Sequence, residues 1–173
     1  MTAATAATAM QLPDAEALCA ELVKKLRPAV TTATGMVGIH TGGAWLAERL
    51  HRELGLQLPL GRLDISFYRD DYRKLGLHKS VRASQIPFDV ADRRLLLVDD
   101  VLYTGRTVRA AMNELFDYGR PESIALVALI DRGERQLPIC ADCCGATLAV
   151  PKGKMLRLDR NDAGRLSLRL DDA

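Results

Sequence analysis

The chain has 173 residues, 48% of them hydrophobic and 27% charged, with a formal net charge of +2 at pH 7. These values are typical of one water-soluble globular domain with a sizeable core, so we expect a single domain over residues 11–173. They exclude an overall basic field that would require nucleic acid as a partner. No apolar run is long enough for a membrane-spanning helix, so no membrane contact is expected.

The amino-terminal tail and the cysteines bear on the cellular compartment. Residues 1–10, MTAATAATAM, are small and repetitive, so we expect a disordered tail, and they lack the basic region and apolar core of a secretory signal. Cys19 falls on an apolar helical face, whereas Cys140, Cys143 and Cys144 cluster. A zinc site is the less favoured interpretation of that cluster, because no second pair and no nearby histidine completes four ligands. Free thiols in a cytoplasmic protein are therefore expected.

Strands and helices alternate along most of the chain. The spacing of apolar residues predicts helices over residues 14–27 and 44–54, and a third with its apolar face at 108–116. It predicts strands over residues 36–40, 60–67, 95–98 and 123–130. This alternation indicates a parallel sheet with right-handed crossovers.

Two further segments depart from this alternation. Residues 68–92 are charged and without period, which is typical of a long functional loop or lid. Residues 155–158 and 166–170, separated by a turn at 161–164, alternate in hydrophobicity and predict an antiparallel hairpin. The hairpin and the first helix can together form a small cap over a ligand crevice.

A pair of carboxylates, Asp99 and Asp100, directly follows the apolar run at 95–98. Carboxylates can accept hydrogen bonds from ribose hydroxyls, and the following turn amides, the hydroxyls of Thr104 and Thr107 and a helix amino terminus suit a phosphate. Open parallel sheets bind their ligands at this end of the strands. The alternative is that the pair only ends the strand and Thr104 only caps the helix. Adjacent ionised carboxylates repel each other unless donors or a cation offset them, which favours the sugar-phosphate site.

Two other strand ends are candidates for the same crevice. The turn at residues 38–43, GIHTGG, exposes backbone amides that can bind an anion, although such a turn alone is a weak signal. Asp131 follows the strand at 123–130, where it either faces the crevice or closes a turn of its own.

These motifs carry a family resemblance. The run LLLVDDVLYTGRT resembles the phosphoribosyl-pyrophosphate signature of type I phosphoribosyltransferases. VDDVLYTGRTVRAAMNEL and GRPESIALVALIDRGERQLPI resemble one branch, the PyrR family of uracil phosphoribosyltransferases that double as pyrimidine-operon attenuation regulators. VGIHTGGAWLAERL and LDISFYRDD are also similar to that family, so the resemblance covers about residues 36–142.

The resemblance implies a type I phosphoribosyltransferase fold: a mostly parallel open sheet flanked by helices, with a small hood from the amino-terminal helix and the carboxyl-terminal hairpin. It implies transfer of phosphoribosyl from phosphoribosyl pyrophosphate to uracil, giving UMP and pyrophosphate, in a homo-oligomer, a dimer or tetramer. Mg²⁺ is expected on pyrophosphate and water oxygens rather than in a dedicated protein site. Two alternatives stay open: a UMP-sensing regulator that binds messenger-leader RNA with little catalysis, and a phosphoribosyltransferase for another nucleobase.

The resemblance also assigns roles to particular residues. Catalysis falls to Asp99, Asp100 and Arg69, the last supplying a cation to the departing pyrophosphate. Phosphoribosyl binding falls to Asp99, Asp100, Leu102, Tyr103, Thr104, Gly105, Arg106 and Thr107. Pyrophosphate binding falls to His40, Thr41 and Gly42, and base binding to Asp131.

The chain departs from the family pattern at three places. Gly42 and Cys140 stand where the family has arginines, and residues 145–151 differ from a Gly-Lys-Asn…Pro-Thr-Ser stretch. The last two lie near base or RNA contacts in the family, so the phosphoribosyl chemistry is better determined than the base. If the turn binds pyrophosphate, Gly42→Arg should tighten substrate binding, unless glycine is required there for a close approach.

Overall fold

The computed structural model describes residues 10–65 and 83–173. Its helices are α1 Ala15–Leu26, α2 Gly42–Leu54 and α3 Arg106–Asp117, with a short 3-10 helix at Arg27–Ala29. Its strands are β1 Gly35–Ile39, β2 Gly61–Leu63, β3 Arg94–Leu102, β4 Ser123–Asp131, β5 Cys143–Thr147, β6 Lys154–Arg160 and β7 Leu166–Asp172. Except for Met10, the expected tail at residues 1–10 lies outside the described residues, as does Arg69.

The predicted parallel sheet is confirmed. Five parallel strands lie in the order β2-β1-β3-β4-β5, and β6 and β7 form a separate antiparallel pair. The strand order reverses between β1 and β3, so the loops after these strands diverge to opposite faces and leave a crevice at their carboxyl ends. Within the described part of the chain, no helix is long and apolar enough to cross a bilayer.

The central strand β3 is buried because both faces of the sheet are covered. Leu96 and Val98 pack into one core cluster with α1 and α2, whereas Leu95 and Leu97 pack into another with α3. A strand covered on both faces has a continuous apolar run rather than an alternating pattern, as residues 95–98 do.

The structure differs from the prediction at three strands. β3 was predicted to end at residue 98 but continues to Leu102, because its pairing with β4 extends to the register Leu102–Asp131. β2 is shorter than the predicted 60–67: it ends at Leu63, and the last residues of that prediction lie outside the described ones. The edge strand β5 was not predicted, because Thr147 is the one residue of its sequence CCGAT that belongs to the β-branched and aromatic types that strands favour.

The predicted hood is present: β6 and β7 pack beside α1. Leu156, Leu158 and Leu166 are buried in the core cluster that holds α1. The amide of Leu166 donates to Oε1 of Glu16 on α1 at 2.7 Å. The hairpin is thus attached to α1 through apolar burial and a cross-element hydrogen bond.

A second polar attachment joins the hairpin to α2 and β2. The Glu48 carboxylate accepts from Arg62 at 2.9 Å through Oε1 and from Arg160 at 2.6 Å through Oε2. Burial by itself would raise the pKa of Glu48, but the hydrogen bonds from the two arginines outweigh it and hold that pKa below its usual 4.5. A carboxyl whose folded-state pKa is lowered stabilises the fold above its unfolded-state pKa, and this contribution is lost as the pH falls through the folded-state value.

Replacing Glu48 by glutamine should therefore weaken the fold in a pH-dependent way. Because the ion pairs are partly exposed, Glu48→Gln should lower the free energy of unfolding at pH 7 by at most about 1 kcal/mol. The deficit should shrink as the pH falls below about 4.5. Urea unfolding across a pH series measures it, with Glu122→Gln, which loses only the exposed pair with Arg94, as control. A deficit unchanged well below that pH would mean that the ion pairs are not its cause.

Candidate active site

Three loops meet at the carboxyl ends of the central strands. β1 leads through residues 40–41 into α2, β3 leads through residues 103–105 into α3, and β4 leads into residues 132–139. We call residues 103–107 the phosphate loop and residues 132–139 the base-side segment. The loops converge because parallel strands end at the same edge of a sheet.

The two carboxylates lie within β3, three and two residues before its last residue, Leu102, rather than after the strand. Asp99 is 3% exposed and its Oδ1 accepts from the amide of Asp100 at 3.0 Å, whereas Asp100 is half-buried. Strand pairing with β4 fixes the backbone of Asp99 opposite Ala128. The carboxylates are thus held on a rigid central strand, at the edge where a ligand would enter.

The first turn of α2 lies directly against this carboxylate pair. A Cβ added at Gly42 would overlap Oδ2 of Asp100, and one added at Gly43 would lie 2.6 Å from the carbonyl oxygen of Val98. Both positions are far inside van der Waals contact. At Gly43 the obstacle is backbone, so glycine is required there, whereas at Gly42 a methyl group would have to displace the Asp100 carboxylate. Asp100 consequently lies beside the amino terminus of a helix, where the helix dipole favours a negative charge.

This contact bears on the missing arginine at Gly42. Two outcomes were expected for Gly42→Arg: tighter substrate binding, or a loss of stability if glycine is required. The geometry favours the loss of stability, because any side chain there must first displace the Asp100 carboxylate. The other two residues of the expected pyrophosphate turn, His40 and Thr41, directly precede Gly42 in the chain. The amide of His40 donates to Leu63 at 2.8 Å, and the carbonyl of Thr41 accepts from Trp45 at 3.3 Å.

The phosphate loop ends at the amino terminus of α3. Gly105 caps the helix with a φ of +90°, a left-handed conformation that side chains disfavour. The Thr104 hydroxyl accepts from the amide of Arg106 at 3.3 Å, so it does help to cap the helix. The remaining turn amides and the helix dipole form the arrangement that commonly binds a phosphate.

Asp131 ends β4 and is engaged with its own loop. Its carboxylate accepts from the amide of Gly133 at 2.9 Å and from Nη2 of Arg135 at 2.5 Å. This is the turn-closing alternative considered from the sequence, and it also holds Asp131 at the crevice edge of the sheet.

Sequence reasoning missed two residues of the base-side segment. The Arg132 guanidinium lies 3.9 Å from the centroid of the Tyr103 ring, and Arg135 contacts both Asp131 and the phosphate loop. The sequence contains only a weak indication of the Arg135 contact: Asp131 and Arg135 are oppositely charged and four residues apart, at the end of a strand.

Three of the four cysteines have thiols that burial makes less acidic than a free cysteine. Burial raises the pKa of Cys19 to about 12 and also raises the pKa of Cys143 and Cys144, so these thiols are protonated at neutral pH. Protonated thiols are poor nucleophiles and poor metal ligands. Among residues 10–65 and 83–173, no group of three or more metal-binding side chains occurs.

Comparison with known proteins identifies relatives of this arrangement. Residues 9–148 match the phosphoribosyl transferase domain family. The bifunctional protein PyrR of Nitrosococcus oceani is 52% identical over 139 residues, which is 79% of this chain and 78% of that protein. The protein of the same name from Pseudomonas aeruginosa is 50% identical over 153 residues, 86% of this chain and 90% of that protein.

Solved structures share the fold. A hypoxanthine-guanine phosphoribosyltransferase from Bacillus anthracis matches with a TM-score of 0.65 at 16% identity, covering 81% of this chain and 84% of that one. A purine phosphoribosyltransferase from Pyrococcus horikoshii matches with a TM-score of 0.59 at 25% identity, covering 77% and 81%.

The contact between Gly42 and Asp100 can be tested by a double-mutant cycle. Gly42→Ala should lower the free energy of unfolding by about 1–3 kcal/mol, the usual range for overpacking. Most of this cost should disappear in an Asp100→Ala background, because the two atoms nearest the new methyl group are then absent. Thermal or urea unfolding of the four proteins gives the coupling energy.

Gly43→Ala provides the matched control. Its added methyl group meets the backbone of Val98 and Asp99, so truncation of Asp100 should not relieve its cost. Equal costs of Gly42→Ala in both backgrounds would show that α2 does not pack on the Asp100 carboxylate.

Proposed function

This chain belongs to the phosphoribosyltransferase family and, within it, to the bifunctional PyrR proteins, and we propose that its crevice transfers phosphoribosyl to uracil. The observation that carries the proposal is the contiguous strand β3, carboxylate pair, phosphate loop and α3 amino terminus, with the α2 turn against the carboxylates. The reaction consumes phosphoribosyl pyrophosphate and yields UMP and pyrophosphate. A cytoplasmic location, which four free thiols fit, belongs to the same proposal.

Displacement at C1 of ribose passes through a cation-like sugar. The site must therefore bind the 5-phosphate, hold the ribose diol and stabilise the developing positive charge, and it has residues for each of these tasks. The phosphate loop binds the 5-phosphate through its amides and the α3 dipole. Asp99 and Asp100 accept hydrogen bonds from the ribose diol, and their charge stabilises the developing positive charge. Because β3 holds both carboxylates before substrate arrives, this stabilisation needs no rearrangement during the reaction.

The leaving pyrophosphate needs cations around it. The turn at residues 40–42 offers the backbone amides of Thr41 and Gly42, at the amino terminus of α2. Arg69 would supply a positive charge, a role that rests on the YRDD resemblance because Arg69 lies outside the described residues. Mg²⁺ prefers water and phosphate oxygens with one or two carboxylates, so the Asp100 side of the crevice suits it. When bound on the substrate, the metal would neutralise charge on the leaving group.

The choice of base rests on less structural support than the phosphoribosyl chemistry. Asp131 is proposed to lie near the base, at the end of the strand next to β3. Uracil is preferred because the PyrR proteins are the relatives at 52% and 50% identity. A purine is the alternative, because the structurally similar enzymes include purine phosphoribosyltransferases.

A second function, RNA-binding regulation, is proposed because the relatives are named bifunctional. Basic side chains are exposed on both parts of the hood, on α1 and on the hairpin that begins at residue 154. Lys24 and Arg157 are examples, although each also contacts an acidic neighbour. A homo-oligomer, a dimer or tetramer, belongs to this proposal and is measured by light scattering.

Asp100→Asn should leave the protein folded but lower turnover by roughly 10²-fold or more, because the neutral amide no longer stabilises a cation-like sugar. Turnover is measured with phosphoribosyl pyrophosphate, magnesium and a panel of uracil, hypoxanthine and guanine. Asp117→Asn, an exposed carboxylate at the end of α3, is the matched control and should keep wild-type rates.

Each outcome of this assay decides a separate point. Near-normal turnover by Asp100→Asn would remove the proposed role of the carboxylate pair. A wild-type preference for hypoxanthine or guanine would overturn the choice of uracil and leave the phosphoribosyl chemistry in place. No turnover with any base would overturn the enzymatic proposal.

The protein should bind pyrimidine-operon leader RNA with an affinity that falls steeply as the salt concentration rises, because contacts to RNA phosphates release counterions. Binding is measured by filter retention or fluorescence anisotropy across a salt series, with and without UMP, and with a scrambled RNA of the same length as control. We expect UMP to change the affinity for the leader RNA only. A flat salt response, or equal binding of both RNAs, would remove the regulatory proposal.

A further inference from the structure

The base-side segment is hydrogen-bonded to the phosphate loop and to the end of β3. The backbone hydrogen bonds are three: the amide of Arg132 donates to Leu102, the last residue of β3, at 3.0 Å, and the amides of Gln136 and Leu137 both donate to Thr104 of the phosphate loop, at 3.0 and 3.2 Å. The Thr104 carbonyl, in the middle of the turn that precedes α3, therefore has two donors from the other loop. The conformation of the phosphate loop depends on a segment that follows a different strand.

Two side chains add to this connection: Arg106 donates from Nε to Oε1 of Gln136 at 2.9 Å, and Arg135 makes several further contacts. Its Nη1 donates to the carbonyl of Tyr103 at 2.5 Å, its Nη2 to Oδ2 of Asp131 at 2.5 Å, and its Nε to the carbonyl of Ile139 at 2.9 Å. The side chain is 22% exposed. One guanidinium thus joins the phosphate loop, the end of β4 and the far end of the base-side segment.

The arrangement requires arginine rather than a cation in general. A guanidinium directs its five N–H donors in fixed directions within one plane, whereas a lysine ammonium is a single flexible point of charge. Arg135 uses donors on all three of its nitrogens toward three different residues. The Arg132 guanidinium, stacked on the Tyr103 ring, supports the same loop through a separate contact.

We propose that Arg135 is a positioning residue that fixes the phosphate loop relative to Asp131, so that the phosphate end and the base end of a nucleotide are recognised as one unit. The inference rests on the proposed function in one respect: the ligand is a nucleoside 5-monophosphate whose base lies beside Asp131. Arg135 itself contacts no reacting atom in this scheme.

The proposal separates ligands that use one end of the site from ligands that use both. Without Arg135, the three backbone hydrogen bonds, the hydrogen bond from Arg106 to Gln136 and the packing of Ile139 against the core cluster that holds α3 all remain, so the protein should fold. What is lost is the fixed orientation of Asp131 relative to the phosphate loop. UMP spans both ends and should lose affinity, whereas ribose 5-phosphate occupies only the phosphate end.

The test compares dissociation constants for UMP and ribose 5-phosphate in the wild type, Arg135→Met and Arg135→Lys, by calorimetry. Arg135→Met should weaken UMP binding by about tenfold or more, the equivalent of one charge-assisted hydrogen bond, and change ribose 5-phosphate binding by less than about threefold. Arg135→Lys keeps the positive charge but not the planar set of N–H donors, so it should recover little of the lost UMP affinity. Arg94→Met, which removes an exposed arginine at the amino end of β3, is the control and should bind both ligands as the wild type does.

A purely structural role would weaken the binding of both ligands equally, and that result overturns the proposal, as does unchanged UMP binding.

Amide hydrogen exchange without ligand separates this inference from the proposed function. Arg135→Met should speed exchange in the phosphate loop and the base-side segment but not in α1 or β7. If the wild type prefers a purine nucleotide, that nucleotide replaces UMP in the comparison. If it binds no nucleotide, the proposed function fails, and the exchange pattern alone decides whether Arg135 holds the two loops.

Discussion

The close contact between the first turn of α2 and the carboxylate pair of β3 is the constraint on which the site depends. Glycine at positions 42 and 43 lets a helix amino terminus reach the strand, with no room for even a methyl group between them. Two neighbouring carboxylates, one buried and one half-buried, would otherwise repel each other. The helix dipole offsets part of that repulsion, so the sheet can present two negative charges where a cation-like sugar would form.

The rest of the fold holds this contact in place. β3 is the central strand of five, and its apolar residues are buried against helices on both faces. The strands end at one edge, so the α2 turn, the phosphate loop and the base-side segment meet there without a long connection. The loops are held in turn by Arg135, which joins two of them through hydrogen bonds to backbone carbonyls and to Asp131. A rigid sheet and a hydrogen-bonded set of loops together give the fixed geometry that electrostatic catalysis needs.

Much of the fold could be predicted from the sequence, because apolar periodicity reports burial. The alternating strands and helices, the hairpin and the hood are confirmed, and Asp99 and Asp100 lie beside the phosphate loop as the motif indicated. The end of β3 was wrong, because a charged pair normally ends a strand and pattern alone cannot show that pairing with β4 continues past it. β5 was missed because its residues are mostly small and show no strand pattern. It is a strand because it pairs with β4, and that pairing cannot be seen in its own sequence. Arg135 was missed because hydrogen bonds to distant carbonyls leave no pattern in the sequence.

The most direct test of the account is a crystal structure of the protein with UMP bound. The account predicts that the phosphate oxygens lie within hydrogen-bond distance of the amides of residues 104–107, at the amino terminus of α3. It predicts that the ribose hydroxyls contact Asp99 or Asp100, and that the base lies on the Asp131 side of the crevice. A nucleotide bound elsewhere, or one whose ribose makes no contact with either carboxylate, would contradict it.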